Sequence, residues 1–317
     1  MSRIHEALKK AEEEKANRAH NGPEVKAAEV AELPATTAEG MVPIVDEEPA
    51  APGAVEVGSP DQLTWEELKS QVRKLQWNPN TKTMLFFGQG AYLPGTEEFR
   101  TLRSRLHGFR AMQPLRTILI SSSSPREGKS FIAANLAQIL VLQPDQRALL
   151  IDADLRWSRL HLSLGAPATP GLSDYLGGEI NELSIIQRGP LENLYFIPGG
   201  THPANPSELI ANGRLKDLLG RLAPLFDWVI IDTPPAMAVS DARVMAELCD
   251  GVLLVVSAGL EPFDAVQRTK QQFENKHLLG VVLNRAEPRT SYSYKYYGYY
   301  RGPEKDTPKD GNRKGKG

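Results

Sequence analysis

"TILISSSSPREGKSFIAANLAQIL", Thr117 to Leu140, joins an apolar run to a helical one through a polar turn. Thr117–Ser121 is a short apolar run of the kind that makes a buried strand, and the residues after Lys129 carry a helical pattern. Between them lies a polar turn ending in Gly128-Lys129-Ser130. In that order, backbone N–H groups and the positive end of a helix can hold phosphate oxygens. Lys129 can then reach the β- and γ-phosphates of a nucleotide, and the Ser130 hydroxyl can bind Mg²⁺. Gly-Lys-Ser alone also suits a helix start that happens to carry a lysine. Its place between a strand and a helix is what points to nucleotide. Ser123 stands where the usual first glycine of such a loop would be.

Working outward, apolar runs recur at 148–152 (ALLID), 194–198 (LYFIP), 228–233 (WVIIDT), 251–256 (GVLLVV) and 278–284 (LLGVVLN). Most gaps between them are long enough for a helix. Runs without polar alternation suit strands covered on both faces. The expected fold is therefore α/β, a mainly parallel sheet with helices on both sides, and ligands bind at the carboxyl ends of such strands.

Those ends carry acids. Asp152 and Asp154 are two residues apart and project the same way in extended geometry; Asp232 ends the "WVIID" run. Beside a triphosphate, carboxylates can hold Mg²⁺ or accept a proton from an attacking hydroxyl. Any one of the three reads equally well as a cap or turn aspartate. Three of them on two strands beside a phosphate loop do not.

The 317 residues have 41% hydrophobic content, enough for a large α/β domain, and a formal net charge of −2, which gives no general pull toward nucleic acid. The single cysteine, Cys249, precedes a buried run and reads as a core residue, not a nucleophile. No apolar run approaches the ~20 residues needed to cross a bilayer, and the N-terminus lacks the apolar core of a signal peptide. The expected location is cytoplasmic, peripheral to the inner membrane through a partner. By composition, residues 1–16 form a short charged docking helix with a thin stripe at Ile4, Ala7, Leu8 and Ala11. Residues 17–60 read as a disordered linker, 61–290 as the nucleotide-binding domain with leading helices, and 291–317 as a flexible polar tail. Thr64 and Glu67 make a capping box for a helix through "TWEELKSQVRKLQW", with Trp65, Leu68, Val72 and Leu75 on one face. A second helix is expected near Glu97 to Phe109, its stripe formed by Phe99, Leu102, Leu106 and Phe109.

Over about residues 80–300 the chain resembles the bacterial tyrosine kinases that control capsule and exopolysaccharide assembly, P-loop NTPases related to the deviant-Walker partition ATPases. The resemblance rests on "EEFRTLRSRL", "SSSPREGKS", "LLIDADLR", "GLSDYLGG", "HPANPSELI", "DWVIIDTPP" and a final tyrosine cluster, in that order. The opening "MSRIHEALKKAE" is similar to the start of such kinases in exosortase-linked systems. The resemblance implies an ATP-dependent protein-tyrosine autokinase. Glu127, Gly128, Lys129, Ser130 and Phe131 would bind the nucleotide, with Asn284 on adenine. Asp152 would activate the acceptor phenol. Ser130, Asp154 and Asp232 would hold Mg²⁺. Glu97, Arg100 and Arg103 match a subunit-interface motif of a homo-oligomeric ring, and their spacing of three also suits a plain salt-bridged helix face. "NRAE" at 284–287 lacks the lysine and aspartate of a guanine-reading motif, so ATP is favoured. Implied partners are a transmembrane polysaccharide chain-length (co-polymerase) activator and a phosphotyrosine phosphatase.

Six of the nine tyrosines, Tyr292, Tyr294, Tyr296, Tyr297, Tyr299 and Tyr300, lie in ten residues. Alone they would read as a sticky aromatic tail. With the upstream motifs they become the acceptors, modified by a neighbouring subunit. Three departures from the family pattern stand out. Arg126 replaces a glycine of P-G-E-G-K, and would be strained by roughly 1–2 kcal/mol if its φ is positive. Trp157 and Ser158 replace the more usual arginine and proline. A P-loop ATPase switch and a non-catalytic scaffold remain the competing readings.

Overall fold

The computed structural model describes residues 63–87 and 93–286. The expected N-terminal helix, the linker and the tyrosine cluster lie outside the described residues. Within them, α1 spans Trp65–Gln71 and α2 Thr96–Met112; then come β1 Thr117–Ser122, α3 Lys129–Val141 and β2 Ala148–Asp152. Three short helices follow, α4 Leu160–Leu164, α5 Leu172–Leu176 and α6 Glu182–Ile185, ahead of β3 Gln187–Arg188 and β4 Leu194–Ile197. The remainder is α7 Pro206–Ala211, α8 Arg214–Leu222, β5 Trp228–Asp232, α9 Asp241–Ala246, β6 Gly251–Ser257, α10 Phe263–Gln272 and β7 Leu278–Asn284.

The strands form one seven-stranded sheet in the order β3-β4-β2-β5-β1-β6-β7. Every pairing is parallel except β3 with β4. The six strand runs read from the sequence are all present. The two-residue β3 was not anticipated, being too short to carry a pattern.

Alternate residues of each central strand enter separate cores, as the two-residue period of a strand requires. Leu119, Leu149, Ile151, Val229, Ile231 and Leu254 pack with Leu172, Leu215, Leu218 and Met245 from α5, α8 and α9. Ile118, Ile120, Leu150, Ile230, Leu253 and Val255 pack with Phe99, Leu106, Ile132 and Leu136 from α2 and α3. Helices thus cover both faces. Each such side chain, fully withdrawn from water, contributes roughly 1.5–3 kcal/mol.

The first helix is shorter than its sequence suggests. Its capping box forms as expected, with Thr64 accepting from the Glu67 amide and Glu67 accepting from Thr64. The helix then stops at Gln71, and the chain runs extended. Leu75 donates to the Arg188 carbonyl at 2.8 Å, and Lys74 bridges Arg188 in parallel. Trp77 is buried against Phe196, where Gly189 leaves room for its indole. Pairing with the sheet edge and burial of Trp77 outweigh the helical pattern of residues 72–77. The α2 helix matches its expected stripe, with Phe99 and Leu106 buried.

Candidate functional site

The turn after β1 becomes a phosphate loop because three long-range contacts hold it. The Glu127 side chain is buried. Its carboxylate accepts from the Ser124 amide at 2.7 Å and from the Ser257 amide, at the end of β6, at 3.1 Å. The Asn284 side chain, at the end of β7, donates to the Glu127 carbonyl at 2.8 Å. Ser123, buried where a glycine is usual, accepts from the Thr269 hydroxyl of α10 at 2.8 Å. The loop closes at Gly128, φ 98°, as the N-cap of α3. Gly128 offers no side chain to cap the helix, so its first amides stay available to an anion. Arg126 sits at φ 68°, the left-handed region that a glycine fills without strain.

Lys129 opens α3 and turns back to the carboxyl end of β2. Its Nζ donates to Asp154 Oδ2 at 3.1 Å, and both side chains are largely buried. Burial pulls against the ammonium, but Asp232, Asp154 and Asp152 outweigh it and raise the lysine's pKa. Asp154 Oδ1 accepts the Trp157 amide at 3.1 Å.

Asp152 and Asp232 occupy matching positions on the adjacent strands β2 and β5. Both are buried. Asp152 Oδ2 accepts from the Ser158 hydroxyl at 2.8 Å and the Leu160 amide at 3.1 Å, while its Oδ1 has no partner. Burial, and then the charge of Asp232, push its pKa up to about 7. Burial also pushes Asp232 up, to about 6, against the pull of Lys129 and of the Ser130 hydroxyl. Asp232 Oδ1 is likewise unpartnered. Two buried carboxylate oxygens without hydrogen bonds, beside Ser130, form a setting suited to a hard cation.

Other expected residues sit further out. Phe131 packs edge-on against Phe99. On α2, Glu97 and Arg100 form an ion pair on an exposed face, and Arg103 donates to the Ile139 carbonyl of α3 at 3.1 Å. Cys249 packs against the core, its thiol donates to the Met245 carbonyl, and burial pushes its pKa up, so it is no thiolate nucleophile. Sequence reasoning missed one network. Arg156 donates to Asp241 Oδ2 at 3.1 Å and to Ser207 Oγ at 2.8 Å, and Ser207 donates to Asp241 Oδ1 at 2.6 Å. This ties together the loop after β2 and helices α7 and α9. Arg156 and Ser207 fall within the quoted runs "LLIDADLR" and "HPANPSELI", but nothing local in the sequence marks Asp241 as their partner.

No protein-family model matches the chain. Comparison with curated proteins gives tyrosine-protein kinase YwqD of Bacillus subtilis, 32% identical over 205 residues, which cover 64% of this chain and 86% of that protein. The chain belongs to the bacterial tyrosine kinase family. Tyrosine-protein kinase wzc of Salmonella typhimurium is 36% identical over 207 residues. The chain spans only 28% of its length, and the same share of the EpsB relatives from Ralstonia. Among solved structures, the kinase domain of the Escherichia coli tyrosine kinase ETK is similar with a TM-score of 0.55 and 36% identity, over 62% of this chain and 80% of that one. Membership in the family agrees with the phosphate loop and with the mainly parallel sheet. Among the described residues, no helix is long and apolar enough to cross a membrane.

Proposed function

We propose that the protein is an ATP-dependent protein-tyrosine autokinase. The observation that carries this reading is the convergence of Lys129, Asp154, Asp152 and Asp232 at the carboxyl ends of adjacent strands beside the phosphate loop. The α3 amides and Lys129 would hold the triphosphate, which competes with Asp154 for the ammonium. Ser130, Asp232 and Asp154 would hold Mg²⁺. When bound, it supplies charge neutralisation at the transferring phosphoryl group. Asp152, whose pKa lies near neutrality, would take the phenolic proton as the tyrosine oxygen bonds to the γ-phosphorus. The bond to the bridging oxygen breaks and ADP leaves.

The acceptors would be Tyr292, Tyr294, Tyr296, Tyr297, Tyr299 and Tyr300 of a neighbouring copy in a homo-oligomeric ring, with Glu97, Arg100 and Arg103 at the interface. Asn284 remains the residue assigned to adenine. Each phosphate adds about −1.5 to −2 charge, so successive modification would loosen the ring. The resemblance to capsule and exopolysaccharide kinases supports a role in polysaccharide assembly. It also supports activation by a transmembrane chain-length partner that brings the protein to the inner membrane, and reversal by a phosphotyrosine phosphatase.

Purified protein given γ-labelled ATP and Mg²⁺ tests the reading. Label should appear on residues 291–300 and be absent in Lys129→Met. Release of free phosphate without tail label would instead make the protein a nucleotide switch, and neither product would make it a scaffold.

A further inference from the structure

Beside Asp154, whose Oδ1 accepts the Trp157 amide, lies an open cavity of about 370 Å³. One wall is Arg156 and Trp157, in the loop after β2; the other is His202 and Pro203, in the loop after β4, with Pro206 at the start of α7. The walls are fixed. Arg156 is held by Asp241 and Ser207, His202 Nδ1 lies 3.5 Å from the Leu155 carbonyl, and the Trp157 amide bonds Asp154. Yet the Trp157 side chain is 71% exposed. That leaves an open aromatic face beside Asp154, able to take a second ring by stacking. The Arg159 guanidinium lies over its ring at 5.8 Å from the centroid and leaves most of it open.

We infer that this cavity is the acceptor subsite, in which Trp157 stacks against the phenol ring of a tyrosine from segment 291–300. This rests on the autokinase reading above and names the group that would recognise the substrate. Asn284 is seated on the phosphate loop, and the first cluster tyrosine comes eight residues later. An extended stretch of that length spans roughly 27 Å, which in the ring proposed above would carry the cluster to the site of a neighbouring copy. Six tyrosines share the segment, and a ring-stacking platform flanked by prolines grips any of them without reading their neighbours. Trp157 would thereby set specificity for aromatic acceptors, while chemistry stays with Lys129 and Asp152.

The test uses full-length protein. The enzyme carries phenylalanine at the six cluster positions, and the acceptor is the Lys129→Met chain with its tyrosines intact. In the enzyme, Trp157→Ala should raise the KM for acceptor roughly three- to tenfold, the size expected for one aromatic pair. That rise should exceed any fall in kcat, with the Kd for ATP within twofold, and Trp157→Phe should recover most of it. A synthetic peptide of residues 288–301 should bind the Trp157→Ala chain three- to tenfold more weakly than the unmodified one. Unchanged acceptor KM and peptide affinity would overturn the inference. So would a parallel loss of ATP affinity, which would make Trp157 only a support for Asp154. The peptide measurement needs no turnover. If the unmodified enzyme transfers no label, the autokinase reading fails, and peptide binding still decides the subsite.

Discussion

Asn284 and Gly128 meet across the phosphate loop: a Cβ on Gly128 would collide with the Asn284 amide nitrogen, which donates to the Glu127 carbonyl at 2.8 Å. The end of β7 therefore acts as a floor for the turn. Gly128→Ala suffers both this clash and a φ of 98°. It should weaken ATP binding at least tenfold in titration calorimetry while the folded domain persists. Asn284→Ala frees the carbonyl without a clash, and its loss should be smaller.

Glu127 should matter for stability. A buried carboxylate accepting two amides cannot be copied by glutamine, which has one acceptor oxygen. Glu127→Gln leaves one buried partner poorly met, at about 1–3 kcal/mol. For a domain of this size that is a fall in Tm of roughly 2–12 °C, measured by thermal unfolding without nucleotide.

Arg126 gives the opposite sign. Relief of left-handed strain, roughly 1–2 kcal/mol, exceeds the extra chain entropy glycine loses on folding, about 0.4–1 kcal/mol. Arg126→Gly should raise the midpoint of urea unfolding slightly with an unchanged slope. A lowered midpoint would mean that the arginine makes a compensating contact.

Asp152 predicts a pH dependence. Its folded pKa of about 7 lies above the ordinary aspartate value of about 3.9. The folded state then holds the proton more tightly than the unfolded chain. Its contribution to stability is full below about pH 4, declines as pH rises, and is lost above about pH 7. Without nucleotide or Mg²⁺, Asp152→Asn should flatten this decline and raise Tm most at pH 8. If the two proteins lose stability in parallel from pH 5 to 8, Asp152 is not the group responsible.

Much of this architecture was legible in the sequence, and the reasons differ by element. Five of the six longer strands declare themselves because both faces are buried, so their residues are almost all apolar up to the polar groups at their ends; β7, half exposed at the edge, shows only by its apolar content. Lys129, Ser130 and the three acids could be placed because strand ends in a parallel sheet converge. What stayed hidden depends on partners distant along the chain. The bond from Glu127 to Ser257 spans 130 residues and that from Arg156 to Asp241 spans 85. Residues 72–77 carry a helical pattern but leave the helix, because the edge at Arg188 offers hydrogen bonds that no local rule reveals. Arg126 was the exception, a departure from pattern whose positive φ could be anticipated from the glycine it replaces.

The place of β5 between β2 and β1 constrains how this lineage can drift. Asp232 faces Asp152 and lies beside the phosphate loop only while β5 keeps its register with both neighbours. A slip of one residue would turn every side chain of the strand to the opposite face. Insertions within the three central strands are therefore ruinous to the chemistry even when the domain survives them. The two-residue antiparallel edge strand β3 carries no such burden, and it is there that length and composition can wander.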